Sequence, residues 1–288
     1  MRKIEVCCTS VADVAEAYHG GAIRAELCSA ISCGGVTPSH GLISEAVAEA
    51  ARLAGCSCRA AHETAAGGAS RINVNVLIRP REGSFVYSPS EVMTMLSDIS
   101  FCREAGADGV VIGALTPEGD IDMDACRSMV AAAGPMSVTF HRAFDVCRNP
   151  EQALEQIIAL GCDRLLTSGQ QPGALDGVEL ISRLVRLAAG RICIMPGSGI
   201  SPANIDKIEQ STGASEFHST ARAAVPDPDC HHVPALGFDE PSAPMPVSSC
   251  QPDASSTLAH GSNAITSPPI ASRYILRTSR SIVRSLVG

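Results

Sequence analysis

The sequence has few aromatic residues: it contains no tryptophan, three tyrosines and six phenylalanines in 288 residues. Proteins that grip single-stranded nucleic acid stack its bases on aromatic side chains, and this chain offers few of them. Positive charge is also scarce, because 22 lysines and arginines face 30 acidic residues, which gives a net charge of −8. Both shortages argue against nucleic acid as a partner.

Long apolar runs are missing as well. No run approaches the roughly 18–20 residues of a membrane span, so we expect no membrane partner. The first residues, 1–6, enter a strand-like run directly, which indicates no secretory signal and favours a cytoplasmic protein.

Cysteine is abundant, with 13 residues spread from Cys7 to Cys250, but no two are spaced as CxxC. The missing spacing argues against a zinc finger or a thioredoxin-type site. In the expected reducing compartment most of these cysteines are interpreted as reduced, buried thiols.

Residues 1–222 alternate between short β-branched runs and longer amphipathic stretches. The pattern predicts strands at 3–8, 24–29, 72–79, 109–115, 136–142, 163–168, 191–196 and 216–220. It predicts helices near 11–19, 41–54, 89–105, 122–133, 150–160, 176–188 and 202–212. Typical helix start signals stand at Ser10, Ser88-Pro89, Asn149-Pro150 and Ser201-Pro202. Eight strand–helix repeats predict an α/β fold of the (β/α)₈ TIM-barrel type. A doubly wound open sheet is the alternative, but no GxGxxG or phosphate-binding loop follows the first strand.

Composition divides the chain into a barrel over 1–224, an insertion over 225–272 and a C-terminal segment over 273–288. The insertion holds nine of the 18 prolines and eight serines, which predicts disorder. A second, Ala/Gly/Ser-rich stretch at 55–71 is interpreted as a flexible insertion. The apolar spacing of 273–287 predicts a helix that would close the barrel, although its four arginines would also suit a basic tail.

Polar residues recur on one face of the predicted strands, since residues two apart share a face. The pairs are Glu5 with Cys7, Glu26 with Cys28, Asn75 with Arg79, Thr139 with His141, and Glu216 with His218. In a barrel this face points into the interior, which branched apolar side chains normally fill. Buried polar groups are costly unless they pair with one another or bind something. Ion pairs such as Glu26–Arg79 or Glu216–His141 would satisfy them, and a functional site is the alternative.

Cys7 and Cys28 stand near the ends of consecutive strands at matching positions, where two thiolates could share one metal ion. Soft thiolates select copper(I) or zinc, and structural zinc sites usually need four ligands. His218 or His141 could add a ligand. Two unrelated core cysteines are the alternative interpretation.

The turns after the seventh and eighth strands offer a different site. Gly197, Ser198 and Gly199 in MPGSGI, with Ser219 in HSTA, resemble a backbone cradle for an anion. With Arg79 as a charge clamp, and Glu26 and His141 as acid and base, this arrangement would suit an enzyme acting on a small anionic substrate, such as a phosphorylated one.

Several blocks together resemble one known family. They are EVC (5–7), ELCSAISCGGVTPSHG (26–41), IRPREGSFVYS (78–88), IGALTPEGDID (112–122), VTFHRAFD (138–145), LTSG (166–169), MPGSGI (195–200) and EFHSTAR (216–222). In this order they resemble the CutC copper homeostasis family. The chain departs from the family pattern at Glu82, Ser84 and Ser198, which stand in place of Gly, Asp and Gly.

The resemblance implies a cytosolic, homo-oligomeric (β/α)₈ barrel that binds copper as Cu(I), and it assigns the copper ligands to Cys7 and Cys28. The prediction is therefore a copper homeostasis protein that buffers or traffics intracellular copper. The enzyme with a Glu26, Arg79 and His141 site at the barrel mouth is the alternative. A scaffold that acts through its surface or its tail is a third interpretation.

Overall fold

The structure is a computed structural model that describes residues 2–55, 71–226 and 274–288. Apart from their edge residues, the two predicted insertions, at 55–71 and 225–272, lie outside the described residues.

Eight parallel strands form one sheet in the order β7-β6-β5-β4-β3-β2-β1-β8. They are β1 (Lys3–Cys8), β2 (Arg24–Leu27), β3 (Asn73–Leu77), β4 (Gly109–Ile112), β5 (Ser137–Phe140), β6 (Arg164–Thr167), β7 (Cys193–Pro196) and β8 (Glu216–Ser219). The sheet curls into a nearly closed barrel, since its two end strands, β7 and β8, contact each other. The predicted (β/α)₈ fold is confirmed.

A helix follows each of the first seven strands. They are α1 (Val11–Gly20), α2 (His40–Gly55), α3 (Pro89–Ala105), α4 (Met123–Ala133), α5 (Pro150–Leu160), α6 (Val178–Ala188) and α7 (Ile205–Thr212). Within the described residues, no helix combines the length and the hydropathy that a membrane span requires.

Three of the four predicted start signals cap their helices, since the side chains of Ser10, Ser88 and Asn149 each accept a backbone N–H from the first turn. The fourth is misplaced, because α7 begins at Ile205. The Asn204 side chain instead holds 201–204 in a turn: it accepts the Ser201 N–H at 2.9 Å and donates to the Gly199 carbonyl at 2.7 Å.

The C-terminal segment is only partly helical, so the helix predicted over 273–287 is too long. Residues Tyr274–Thr278 form β10, which pairs antiparallel with β9 (Arg222–Pro226), and only α8 (Arg280–Val287) is helical. The Tyr-Ile-Leu run favours a strand where a partner edge is available, and β9 provides that edge. Helix α8 packs against α1 and β1, so closely that a Cβ at Gly20 would lie 2.5 Å from Val283 Cβ.

The two faces of the strands have different surroundings, as the alternation predicts. Ile4, Val6 and Cys8 point outward into the main core between sheet and helices. Cys7 and Cys28 point inward, where they form a separate small cluster with Leu77 and Val111. The inner face therefore carries the thiols that the pattern places there.

The barrel interior holds a buried ion-pair network. The Arg24 guanidinium donates to Glu5 on β1 and, at 2.7 Å, to Glu216 on β8, which Arg164 also reaches at 3.1 Å. Glu5, Arg24 and Glu216 are buried, and Arg164 is half-buried. The network satisfies Glu216, so the Glu216–His141 pair considered from the sequence does not form.

Candidate functional site

A cavity of about 290 Å³ opens at the carboxyl ends of the strands, where barrel enzymes place their sites. It is lined by members of all three predicted residue sets: Cys7 and Cys28; Glu26, Arg79 and His141; Ser198, Gly199 and Ser219. The copper, catalytic and anion hypotheses therefore concern one cavity.

The thiol pair forms the floor of this cavity on the β1–β2 side. Cys7 Sγ lies 3.0 Å from Cys28 Sγ, and both side chains are buried. Cys28 follows the last residue of β2, and its N–H donates to the Cys8 carbonyl at 3.0 Å, which extends the strand pairing and aims the side chain at Cys7. Both cysteines are free of disulfides.

A histidine and two carboxylates surround the thiol pair. His218 Nδ1 lies 2.8 Å from Glu5 Oε1, and His218 Nε2 lies 3.6 Å from Glu26 Oε2. Donor atoms of Cys7, Glu26 and His218 all lie within 4.8 Å of one another. Three potential metal-ligand types thus converge on one point of the cavity wall.

The electrostatics of this group follow from its burial. Burial raises the pKa of Glu26 to about 7, although the nearby His218 opposes the shift. Burial alone would lower the pKa of His218, but the carboxylates of Glu26 and Glu5, with Cys7, hold it well above its usual value. Burial would likewise raise the pKa of Glu5, yet Arg24 and His218 hold it at about 2. His218 is therefore an imidazolium beside an ionised Glu5.

The Cys7 thiol is protonated in this arrangement. The hydrogen bond with Cys28, and then burial, raise the pKa of Cys7 well above its ordinary value, while His218 opposes the shift. A soft metal ion must therefore displace a proton to bind Cys7, because the thiolate is the ligand.

The wall across the cavity is formed by residues that follow β3 and β5. The buried Arg79 guanidinium donates to the carbonyls of Cys33 at 2.9 Å, Gly35 at 2.8 Å and Gly83 at 2.8 Å. It also lies 5.0 Å from the centre of the Phe85 ring. The Glu26–Arg79 ion pair considered from the sequence does not form, since Glu26 faces His218 instead.

His141 lies on the same wall, and its Nδ1 accepts the Ala143 N–H at 3.1 Å. Burial, and then the nearby Arg79, lower its pKa to about 3, so the ring is neutral. Arg142 is bound to Asp145 at 2.8 Å and to Ser168 at 3.0 Å. The structure thus brings Arg79 and His141 together, but it pairs neither of them with Glu26.

The predicted anion cradle stays a prediction, although Ser198, Gly199 and Ser219 all line the cavity. Ser198 Oγ donates to the Pro172 carbonyl at 2.8 Å, and Ser219 Oγ donates to the Ile200 carbonyl at 2.9 Å. Both hydroxyl groups therefore already donate a hydrogen bond to a backbone carbonyl. Gly197 has a packing role, because a Cβ there would lie 2.4 Å from Leu166 and 3.3 Å from His218.

Two features of the site escaped the sequence analysis. Arg24 shares strand parity with Glu26 and Cys28, and that signal could have placed it inside the barrel with Glu5. The loop that carries Gly34 and Gly35 lines the cavity and binds Arg79.

Comparison with known proteins agrees with this architecture. The CutC family model matches residues 2–223. A CutC family protein from Parabacteroides distasonis is 51% identical over 224 residues, which is 78% of this chain and 84% of the relative. A CutC family protein from Bacteroides thetaiotaomicron is 47% identical over 223 residues, 77% of this chain and 82% of the relative.

A solved structure titled as the putative copper homeostasis protein CutC from Streptococcus agalactiae is 32% identical, with a TM-score of 0.68. The match covers 76% of this chain and 99% of that one. The family model and the relatives both cover more than two thirds of the chain, so the chain belongs to the CutC family.

Proposed function

We propose that the protein binds Cu(I) between the thiolates of Cys7 and Cys28 and buffers or passes copper inside the cell. The observation that carries this proposal is the 3.0 Å separation of the two buried sulfur atoms in an open cavity. Thiolates are the ligands that Cu(I) prefers. A reducing cytoplasm would keep the pair as thiols, which is why we place the protein there.

The surrounding charges support a copper centre of this kind. One Cu(I) ion and two thiolates carry a net charge of −1, which is costly to bury without a counter-charge. The His218 imidazolium, held by Glu5, lies beside Cys7 and supplies that positive charge. We assign His218 this role, because a protonated imidazole has no lone pair for the metal.

Copper binding requires a small rearrangement of the thiols. A thiolate sulfur lies about 2.3 Å from a bound metal such as zinc, so two sulfurs on opposite sides of one ion stand farther apart than 3.0 Å. Rotation of one cysteine side chain toward the cavity would separate the sulfurs. Loss of both thiol protons would remove the hydrogen bond that joins them.

The test is an anaerobic Cu(I) titration of the reduced protein, in competition with a Cu(I) chelator of known affinity. We expect one tight equivalent in the wild type and its loss in the Cys7→Ser/Cys28→Ser variant. A Cys33→Ser/Cys193→Ser variant is the matched control, since it removes two half-buried thiols from other positions and should bind copper normally. Retained tight binding in the Cys7/Cys28 variant would overturn the proposal.

An enzyme acting on a small anionic substrate is the second candidate, favoured because Glu26, Arg79 and His141 line the same cavity. A carboxyl group with a pKa of about 7, as at Glu26, suits acid–base chemistry near neutral pH. Glu26→Gln separates the two candidates, because it would abolish turnover yet leave both copper thiolates in place. The homo-oligomer that the resemblance implies stays a prediction.

A further inference from the structure

The cavity is larger than a copper ion needs. At roughly 30 Å³ for each water molecule, its volume of about 290 Å³ corresponds to about ten waters. That volume lies near the lower end of the range for small-molecule sites, about 300–1,000 Å³. The thiols occupy only the β1–β2 side, so most of the lining belongs to other residues. The space beyond the thiols is sufficient for a small organic molecule.

The far wall carries a buried positive charge that lacks a counter-ion. Arg79 is only 6% exposed, and among the described residues no carboxylate lies within ion-pair distance of it. Its hydrogen bonds go to backbone carbonyls, which satisfy donors but do not neutralise the charge. Buried charges in proteins are normally paired. An anion in the cavity would provide the missing partner.

The same wall carries a hydrogen-bond donor without an acceptor. His141 Nδ1 accepts the Ala143 N–H, so the proton of the neutral ring resides on Nε2. His141 is 5% exposed, it lines the cavity, and its Nε2 is buried without a partner. A buried donor of this kind calls for an acceptor. On this wall Arg79 thus indicates a negative charge, and His141 indicates a hydrogen-bond acceptor.

The two serines of the β7–β8 rim direct their hydroxyl protons at the backbone. The protons of Ser198 and Ser219 are already donated to the backbone, so that rim offers a phosphate no free hydroxyl donors from these two residues. A carboxylate needs fewer donors than a phosphate, and it is planar, as the guanidinium of Arg79 is. The two donor groups of the far wall, Arg79 and His141, therefore suit one planar carboxylate.

We propose that the cavity binds a small organic carboxylate, with its carboxylate group between Arg79 and His141 and its remainder extending toward Cys7 and Cys28. The inference deepens the proposed function by adding an organic anion to the copper cavity. It rests on the unpaired groups of the far wall and holds whether or not copper is present.

The test is isothermal titration calorimetry on the reduced, copper-free full chain at neutral pH. Succinate and malonate serve as carboxylate probes, succinamide as the uncharged analogue and inorganic phosphate as the competing anion class. We expect the dicarboxylates to bind with one-to-one stoichiometry and succinamide not to bind. Absence of binding by both dicarboxylates would overturn the proposal, and so would tighter binding of phosphate.

Variants locate the site. Arg79→Gln and His141→Phe should each weaken dicarboxylate binding by about ten-fold or more, the loss expected for one charge-assisted hydrogen bond. Arg81→Gln is the control, because Arg81 lies on the same loop but pairs with Glu91 outside the cavity. It should leave the affinity unchanged. Unchanged affinity in both test variants would overturn the placement.

Two further measurements distinguish loss of the carboxylate site from loss of the fold and from loss of copper binding. Arg79 also holds two loops, so His141→Phe, which keeps a ring beside Phe85, provides the second test, and thermal melting checks that each variant is folded. The His141→Phe variant, which leaves both thiols in place, should weaken dicarboxylate binding and retain the tight Cu(I) equivalent. The Cu(I) titration and the dicarboxylate titration therefore test the two proposals separately.

Discussion

Glu5 and His218 occupy directly opposite positions in the ladder between β1 and β8, and a 2.8 Å contact joins Glu5 Oε1 to His218 Nδ1. Together with Glu26 and Cys7, this contact holds the pKa of His218 well above its usual value. Glu5 also binds Arg24, so one carboxylate links the thiol site to the ion-pair network inside the barrel.

Replacement of Glu5 tests how much this link stabilises the fold. In Glu5→Gln, His218 loses the nearer of its two buried carboxylates and Arg24 also loses one of two. We expect the free energy of unfolding to fall by about 3–5 kcal/mol, as when one partner of a buried ion pair is removed. Urea denaturation measures the change.

Glu155→Gln is the matched control for this exchange. Glu155 pairs with Arg191 at 2.6 Å on the exposed surface, where such pairs contribute about 1 kcal/mol or less. Equal effects of the two substitutions would show that the Glu5 network contributes no more than a surface pair.

Local signals in the sequence account for most of the fold. Strand alternation and helix caps depend on neighbouring residues, so β1 and the start of α3 at Ser88 could be placed without knowledge of the rest. Strand β10 could not, because it forms by pairing with β9, which lies about fifty residues earlier in the chain. Apolar spacing alone does not distinguish its strand from the start of a helix.

The site was predictable in part for a similar reason. Strand parity placed Cys7 and Cys28 on one face, and the structure puts their sulfurs 3.0 Å apart. Parity places a long side chain inside the barrel, but it does not identify the side chain that it contacts there. Glu26 meets His218, while Arg79 turns to backbone carbonyls of two loops.

The Asp13 carboxylate should make the free energy of unfolding depend on pH in the acid range. Its carboxylate accepts the Thr9 N–H and hydroxyl, each at 3.0 Å, and the Thr278 N–H at 3.0 Å. Burial alone would raise the pKa of Asp13, but these hydrogen bonds hold it below its usual value. A depressed folded-state pKa stabilises the protein above the unfolded pKa, about 3.9, and the stabilisation is lost as the pH falls through the folded pKa.

Asp13→Asn should therefore lower the free energy of unfolding by about 1–3 kcal/mol at neutral pH. Its difference from the wild type should shrink below about pH 4. Denaturation at a series of pH values measures both effects. Asp124→Asn is the control, since the Asp124 side chain is 96% exposed and pairs only with Arg127 among the described residues. If the difference in free energy of unfolding between the wild type and Asp13→Asn stayed constant down to pH 2, the role of the charge would be contradicted.

Gly35 should be essential for the packing of the thiol cluster. Its φ of +88° disfavours any side chain, and a Cβ there would lie 2.7 Å from Leu77 Cδ2, which packs beside Cys7 and Cys28. Gly199 is a matched control, because its φ is +71° but a Cβ there would meet nothing within 4 Å.

We expect Gly199→Ala to cost about 1–2 kcal/mol from backbone strain alone. Gly35→Ala should cost about 1–3 kcal/mol more, because the displaced Leu77 must repack, and it should also weaken Cu(I) binding. Urea denaturation and the copper titration provide the two measurements. Equal costs for the two variants would mean that Leu77 moves aside freely.

Ser198 has a strained backbone conformation and a hydroxyl that makes a hydrogen bond. The destabilisation from the first and the stabilisation from the second can be measured separately. Its φ of +77° is unusual for a residue with a side chain and costs about 1–2 kcal/mol. Its Oγ donates to the Pro172 carbonyl, a bond that contributes about 0.5–1.5 kcal/mol. Ser198→Gly removes both, so the free energy of unfolding should change by about 1 kcal/mol or less.

Ser198→Ala separates the two contributions, because alanine keeps the strain and loses the hydroxyl. It should therefore be the least stable of the three proteins, by about 0.5–1.5 kcal/mol relative to the wild type. The backbone bond from the Ala174 N–H to the Ser198 carbonyl, at 3.0 Å, is available in every variant and should hold the loop in place. Urea denaturation of the three proteins gives the order, and an alanine variant as stable as the wild type would show that the hydroxyl contributes nothing. In that case the serine would carry only the cost of its backbone conformation, and the glycine variant should be the most stable.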